Sequence, residues 1–134
     1  MKKFSIYAAA LVLFTAGSVA SCSNDDDAPA STSKIAYVTA VAGPATGTVN
    51  QELSYNVSFT VDNSCGAFDK VVETAGAANT KTIEVKAKYA GNDCGTTPTV
   101  KSTTYKFKAT AAGTYVLKFK KTATEFVTQN VVVN

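Results

Sequence analysis

An all-β sandwich of about seven antiparallel strands is the fold that this sequence predicts for residues 34–134. From Lys34 onward, Val, Thr, Tyr and Phe dominate short runs in which apolar and polar residues alternate, as they do in strands with one buried face. Turn-forming Gly, Asn, Asp and Pro separate these runs roughly every 8 to 14 residues. No stretch of this region shows the longer period of an amphipathic helix.

The strands can be placed in order from the alternation. The first covers residues 35–42 and ends at Gly43-Pro44, because proline cannot donate to a strand ladder. The clearest covers residues 53–61, in which every second residue is apolar. The last has an open register, since Val131-Val132-Val133 can face either side. The others are predicted at residues 68–74, 83–89, 105–108 and 115–120.

Seven short strands with regular turn signals in about 100 residues are typical of an immunoglobulin-like β-sandwich. Residues 105–119 combine an aromatic strand, a turn of small residues and the tripeptide Gly113-Thr114-Tyr115. This stretch resembles the corresponding part of bacterial immunoglobulin-like and PKD-like modules. Tyr115 stands two residues before the inward position Leu117, which is the place of a structural tyrosine corner whose hydroxyl bonds to upstream backbone.

Residues 1–21 predict a cleaved export signal. Lys2-Lys3 precede an apolar run of about 17 residues, which is at the short limit for a membrane span and ends in small residues. Val19-Ala20-Ser21-Cys22 resembles the lipobox of bacterial lipoproteins, in which the cysteine is acylated and becomes the mature N-terminus. The resemblance implies that Cys22 carries a lipid and that the chain is anchored in the outer membrane.

Residues 22–33 predict a flexible acidic tether, because they are small and polar and contain Asp25-Asp26-Asp27. A cysteine followed by serine and a cluster of aspartates resembles the export signal of surface-exposed lipoproteins in Bacteroidota. The alternatives are a solvated spacer and a periplasm-facing anchor. The lipobox, the tether, one β domain and a cysteine pair together are similar to small Bacteroidota lipoproteins, most of which have no assigned activity.

If Cys22 is acylated, Cys65 and Cys94 remain as an even pair in an oxidising compartment, which predicts a disulfide. The loops that hold them follow the second and fourth predicted strands. These loops lie at the same end of a sandwich, because successive antiparallel strands alternate in direction. A redox or metal-binding thiol pair is the alternative, although the sequence has neither a CxxC spacing nor a histidine to support it.

Composition argues against several function classes. The chain has 13 lysines, no arginine, no histidine and 10 acidic residues; without Lys2 and Lys3, 11 minus 10 leaves a net charge of +1. A charge near zero gives no support to a nucleic-acid partner. Serine and threonine have no histidine to activate them, and the carboxylates fall in turns or on outward positions. We therefore expect neither catalysis nor a cofactor.

Two surface features remain as hypotheses about binding. Asp62, Asn63, Asn92 and Asp93 come from the two cysteine-bearing loops and offer oxygen ligands for calcium, although the same residue types are ordinary turn formers. Six lysines occupy outward positions of three strands. If the fourth and fifth strands pair, four of the six share a face that could bind acidic glycan or lipopolysaccharide phosphates; a solvated face is the alternative. The six are Lys86, Lys88, Lys106, Lys108, Lys118 and Lys120.

The aromatic residues mostly occupy inward positions, so they predict a core and not a sugar-binding platform. Tyr37 and Phe68 are the two whose orientation the alternation leaves open. The sequence therefore predicts a non-catalytic module for protein interaction or structural display on the cell envelope. A small binding module for envelope or dietary glycan is the alternative, and exposure of Tyr37 and Phe68 would favour it.

Overall fold

The computed structural model describes residues 30–134, which form nine β-strands in two sheets. The all-β sandwich predicted from the alternation is confirmed. Cys22 and the predicted signal peptide lie outside the described residues. Residues 30–134 contain no helix that is long and apolar enough to cross a membrane. The strands are β1 (Thr32–Ala36), β2 (Val38–Ala42), β3 (Thr46–Gly47), β4 (Glu52–Val61), β5 (Gly66–Ala75), β6 (Thr80–Tyr89), β7 (Thr99–Lys108), β8 (Gly113–Lys120) and β9 (Phe126–Val133).

The large sheet is built around β6. Strand β5 pairs antiparallel along one edge of β6, while β1 and β8 share the other edge. Strand β8 runs parallel to β6 and continues into β9, and β3 closes this side of the sheet parallel to β9. The small sheet has the order β2-β4-β7, with antiparallel pairing throughout. Both kinds of pairing therefore occur, where the sequence predicted antiparallel strands alone.

The first predicted strand is divided between the two sheets at Tyr37. Strand β1 joins β6 in the large sheet and β2 joins β4 in the small one. Ala36 and Val38, on either side of Tyr37, are both buried, so the alternation continues through the crossing and hides it. Strand β1 also begins two residues before Lys34, where the domain was predicted to start. Thr32 and Ser33 pair with β6, because backbone pairing does not require apolar side chains.

Two other strands are longer than the sequence indicated. Strand β7 begins at Thr99, six residues before the predicted start at Tyr105, and all ten of its residues pair with β4. Strand β5 is also ten residues long, and its register shifts between Phe68 and Lys70. Such a bulge puts two residues opposite one, which interrupts the alternation of inward and outward side chains along this strand.

Alternating residues of both sheets fill the space between them. In β4 the five inward side chains are at most 5 % exposed, and burial of each of the larger ones stabilises the fold by about 1.5 to 3 kcal/mol. The open register of β9 is settled, since Val131 and Val133 are buried whereas Val132 is exposed. The largest fully buried side chains are Tyr55, Phe59, Phe107, Phe119, Ile83 and Leu117.

The strand directions define two ends of the sandwich. At the disulfide pole, β1 begins and the loops 62–65 and 90–98 connect strands, whereas the 121–125 loop follows β8 nearer the middle of β6. At the opposite end, which we call the far pole, lie the loops 48–51, 76–79 and 109–112 and the end of β9. Any segment that precedes β1 therefore joins the domain at the disulfide pole.

Candidate functional surfaces

Cys65 and Cys94 form a disulfide, as predicted, and join the β4–β5 loop to the β6–β7 loop with a Cα–Cα distance of 5.0 Å. Ser64 reinforces this junction, because its backbone N–H and its hydroxyl both donate to the carbonyl oxygen of Cys94, at 3.1 and 2.7 Å. Gly91 has a φ of +124°, and a Cβ at this position would lie 3.0 Å from Cys65 Sγ. The disulfide pole is thus a cross-linked loop pair that requires a glycine beside the bridge.

The four calcium candidates lie in these two loops, so the disulfide brings the predicted loops together. The Asp62 carboxylate is paired with Lys34 Nζ at 3.2 Å. Asn63 Oδ1 accepts the backbone N–H of Cys65 at 3.1 Å, as an asparagine in a turn does. Asn92 and Asp93 are exposed in the β6–β7 loop. Two of the four candidate ligands are therefore occupied by ordinary structural partners.

Within residues 30–134 the structure shows no pocket and no group of three or more Asp, Glu, Cys or His side chains that could hold a metal ion. Four carboxylates in this part of the chain lie in ion pairs with lysine. These pairs are Asp62 with Lys34, Glu73 with Lys81, Glu52 with Lys106, and Glu84 with both Lys86 and Lys120.

The prediction that four lysines of the fourth and fifth predicted strands share one face is wrong. These strands correspond to β6 and β7, which belong to different sheets. Lys86 and Lys88 therefore lie on the large sheet, while Lys106 and Lys108 lie on the small one. The connection between β6 and β7 crosses the sandwich at the disulfide pole, and alternation within each strand carries no information about that crossing.

The structure instead places five lysines on the outer surface of the large sheet. Lys86 and Lys88 alternate with buried residues of β6, and Lys118 and Lys120 alternate with buried residues of β8. Lys70 of β5 pairs with Lys86 and shares its side of the sheet. We call these five residues the basic face. Lys70 was missed in the sequence because the bulge in β5 interrupts the alternation that would have marked it as outward-facing.

Glu84 lies among the lysines of the basic face. Its carboxylate is 2.9 Å from Lys120 Nζ and 3.7 Å from Lys86 Nζ. The hydrogen bond from Lys120 lowers the pKa of Glu84, partial desolvation opposes this effect, and the positive charges of Lys120 and Lys86 lower the pKa further. Glu84 is consequently ionised at neutral pH and neutralises part of the lysine charge around it.

Tyr37 and Phe68 are both partly exposed, at 42 % each. Tyr37 lies between β1 and β2, whereas Phe68 lies on β5, and β1 and β5 flank β6 on opposite edges. Phe68 also packs against buried Phe59, with 6.3 Å between ring centroids. The two aromatic side chains are therefore separate surface features and do not form one platform.

Tyr115 makes the upstream backbone bond expected of a tyrosine corner. Its hydroxyl donates to the carbonyl oxygen of Ala111 at 2.8 Å, and its ring packs edge-on against Phe107 at 5.3 Å. This bond ties the β7–β8 loop at the far pole to the first residues of β8. The interaction is structural and holds a loop in place.

We expect Tyr115→Phe to lower the free energy of unfolding by about 0.5 to 1.5 kcal/mol, because the ring remains and one hydrogen bond is lost. Tyr105→Phe is the matched control. The Tyr105 hydroxyl is buried and has no hydrogen-bond partner within residues 30–134. Its burial, with the Glu73 carboxylate nearby, raises its pKa. Urea denaturation should show no loss for Tyr105→Phe; equal losses in both variants would contradict the assigned role of Tyr115.

The loops of the far pole are linked to one another and to the strand ends. Asn50 N–H donates to the carbonyl oxygen of Ala109 at 2.7 Å, and Val116 N–H donates to that of Asn79 at 3.1 Å. Asn50, Ala78 and Asn79 are the non-glycine residues with positive φ in the described part of the chain. Such conformations persist where the surroundings impose them. The sequence offered only the turn-like composition of residues 76–79 as a signal for this feature.

Ala78 is the least favourable of these three residues for a left-handed conformation. Thr80 N–H donates to the carbonyl oxygen of Ala77 at 3.1 Å across a turn in which Ala78 and Asn79 have φ of 49° and 59°. Asparagine tolerates this region, whereas alanine carries a Cβ that clashes there. We expect Ala78→Gly to raise the free energy of unfolding by about 1 kcal/mol. Ala77→Gly, at a position with negative φ, should not stabilise; a gain in both variants in urea denaturation would contradict this account.

Comparison with known proteins does not indicate a function for this chain. No family model, no curated protein and no solved structure matches the chain.

Proposed function

We propose that this protein is a lipid-anchored component of the bacterial cell envelope, and that its immunoglobulin-like sandwich is a non-catalytic module whose far pole contacts another envelope protein. The observation that carries the proposal is the position of Thr32, where β1 begins at the disulfide pole beside Tyr89. An anchor at Cys22 would join the domain at that pole and leave the far pole, at the opposite end of the sandwich, free to bind a partner.

The distance from anchor to domain is short. Thr32 is ten positions after Cys22, and a fully extended chain spans about 33 Å over that distance. The domain would therefore stay close to the membrane that holds the lipid. The lipobox-like and acidic sequences that precede β1 support an outer-membrane anchor facing the cell surface; a periplasm-facing anchor is the other orientation.

The far pole has the properties of a protein-binding surface. Its three loops, residues 48–51, 76–79 and 109–112, contain no charged side chain, and charged residues are depleted from the centres of protein interfaces. A hydrogen bond joins the 48–51 loop to the 109–112 loop, and another joins the 76–79 loop to β8, so little conformational entropy would be lost on binding. Loops at one end of a sandwich are also the usual recognition elements of immunoglobulin-like domains.

The proposal can be tested in intact cells. A photo-reactive amino acid placed at Ala78 or Thr110 should crosslink the protein to a discrete envelope partner. The same probe at Ser58 or Ser102, on the outer surface of the small sheet, should not. Equal crosslinking at all four positions, or none at any, would count against the far pole as the binding surface.

The anchor has its own test. Mass spectrometry of the mature protein should find a diacyl-glyceryl or triacyl group on the N-terminal cysteine at position 22, and protease treatment of intact cells should remove the domain if it faces outward. An unmodified Cys22 would rule out the lipid anchor, and a domain protected in intact cells but cleaved after outer-membrane permeabilisation would indicate the periplasm-facing orientation.

Glycan binding is the second candidate, because Tyr37 and Phe68 each expose enough ring surface to stack on a sugar. A glycan array probed with the wild type, Tyr37→Ala and Phe68→Ala distinguishes the two functions. Binding that either substitution abolishes would favour the glycan; absence of binding together with a far-pole crosslink would favour the protein partner.

A further inference from the structure

We propose that the basic face of the large sheet binds the anionic headgroups of the membrane in which the protein is anchored. The inference rests on the proposed lipid anchor at Cys22, and it adds a second membrane contact made by the folded domain. Four features of the face support it: an excess of positive charge, a direct lysine–lysine pairing, a location beside the strand that leads to the anchor, and an exposed aromatic ring.

Positive charge is concentrated on this face. Residues 30–134 contain 11 lysines and 7 acidic residues, since Lys2 and Lys3 and three aspartates precede them. Five of these lysines belong to the basic face. Two acids lie among them: Glu84, and Asp69 of β5, whose carboxylate reaches across β6 to accept a hydrogen bond from the Ser33 hydroxyl of β1 at 3.0 Å. The excess is therefore three positive charges on one side of one sheet.

Lys70 lies directly across from Lys86 in the β5–β6 pair. Like charges at directly opposed positions destabilise a sheet. The small sheet avoids this arrangement, because Glu52 is opposite Lys108 and forms an ion pair with Lys106 at 2.8 Å. The repulsion within the basic face would be relieved by an anion supplied from outside the chain.

The face also lies beside the strand that leads to the anchor. Ser33 and Ile35 of β1 pair with Lys88 and Lys86 of β6, so the tether leaves the domain at the margin of the basic face. A tether this short keeps the surface at a high effective concentration near the lipid headgroups. This location favours a membrane surface over a soluble polyanion.

Phe126 adds an apolar component on the same surface. It pairs with Lys120 at the disulfide-pole end of β9 and is 37 % exposed. Lys118 Nζ lies 5.9 Å from the centre of its ring. An exposed aromatic ring among lysines is typical of surfaces that rest at the level of lipid headgroups.

The test uses the mature chain, residues 22–134, with Cys22→Ser so that no lipid contributes to binding. Its affinity is measured by co-sedimentation with vesicles of phosphatidylglycerol and phosphatidylcholine and with vesicles of phosphatidylcholine alone. The variant Lys86→Gln/Lys88→Gln/Lys118→Gln removes three charges from the basic face. Its matched control is Lys101→Gln/Lys106→Gln/Lys108→Gln on β7, which changes the net charge equally and leaves the same tether in place.

We expect the unsubstituted chain to bind the phosphatidylglycerol vesicles and to be released as the salt concentration rises. Each lysine near such a surface contributes about fivefold in affinity, so the basic-face variant should bind at least about tenfold more weakly while the β7 variant stays close to the parent. Glu84→Gln removes the acid from the centre of the face and should strengthen binding. Thermal melting of each variant checks that the fold is retained.

Three results would overturn the inference. The first is failure of the parent chain to bind phosphatidylglycerol vesicles at low salt. Equal weakening by the two triple variants would show that net charge, and not the basic face, determines binding. Retention on an acidic polysaccharide without retention on vesicles would identify a glycan as the partner. None of these bears on acylation of Cys22, which mass spectrometry decides separately.

Discussion

Replacing Phe119 with alanine is expected to lower the free energy of unfolding by about 3 to 5 kcal/mol. Phe119 is fully buried in β8 and pairs with Ile83 of β6 and Val127 of β9. Its ring also packs edge-on against Tyr105 of the small sheet, with 5.5 Å between centroids. The substitution removes a buried aromatic ring and leaves a cavity between the two sheets.

Phe126→Ala provides the control, because it removes the same side chain from the neighbouring strand at a position on the outer surface. We expect it to change the free energy of unfolding by less than about 1 kcal/mol. Urea or guanidinium denaturation followed by circular dichroism measures both values. A small loss for Phe119→Ala would show that the two sheets do not depend on this contact for their packing.

Removing the disulfide is the second substitution with a large expected effect. The bond joins residues 29 apart in sequence, and closing a loop of that length reduces the entropy of the unfolded chain by an amount equivalent to about 3 to 4 kcal/mol. For a domain whose total stability is of order 5 to 15 kcal/mol, Cys65→Ser/Cys94→Ser should unfold at a much lower denaturant concentration. Loops at the disulfide pole should lose order first, because residues 62–65 and 90–98 include no buried residue.

The comparison should be made with the Cys22→Ser background in both proteins, so that no third thiol can exchange with the pair. Reduction of the parent chain with dithiothreitol provides an independent measure and should reproduce the stability of the double variant. If the double variant and the parent had the same denaturation midpoint, the bridge would have no role in stability and the pole would be held by Ser64 and its hydrogen bonds to Cys94.

The inward and outward positions of most strands could be read from the sequence. Leu53, Val57 and Phe59 of β4 are buried as the alternation predicted, and the same holds for β6 and β8. The pairing of Cys65 with Cys94 was also predicted, because assigning Cys22 to the lipid leaves these two as a pair, and the strand order independently put their loops at one end. These features depend on the local period of the chain and on the number of strands between two loops.

The candidate surfaces were less predictable. Lys70 was hidden by a bulge, and the lysines of β6 were assigned the wrong neighbours because strand pairing depends on residues far apart in sequence. The positive φ of Ala78 was not predictable either, since alanine rarely adopts it and only the closure of the β5–β6 hairpin imposes it.

By itself, the sequence determined the all-β class and the side of most strands that faces the core, because a strand exposes alternate side chains to opposite faces whatever its neighbours are. It also indicated the cysteine pair, because an even number of strand reversals puts the two loops at one end. Only the tertiary structure decided that β1 and β2 belong to different sheets, that β8 runs parallel to β6 and that five lysines share one surface. Those outcomes depend on which strands pair with each other, and this pairing is determined by the packing of the whole core.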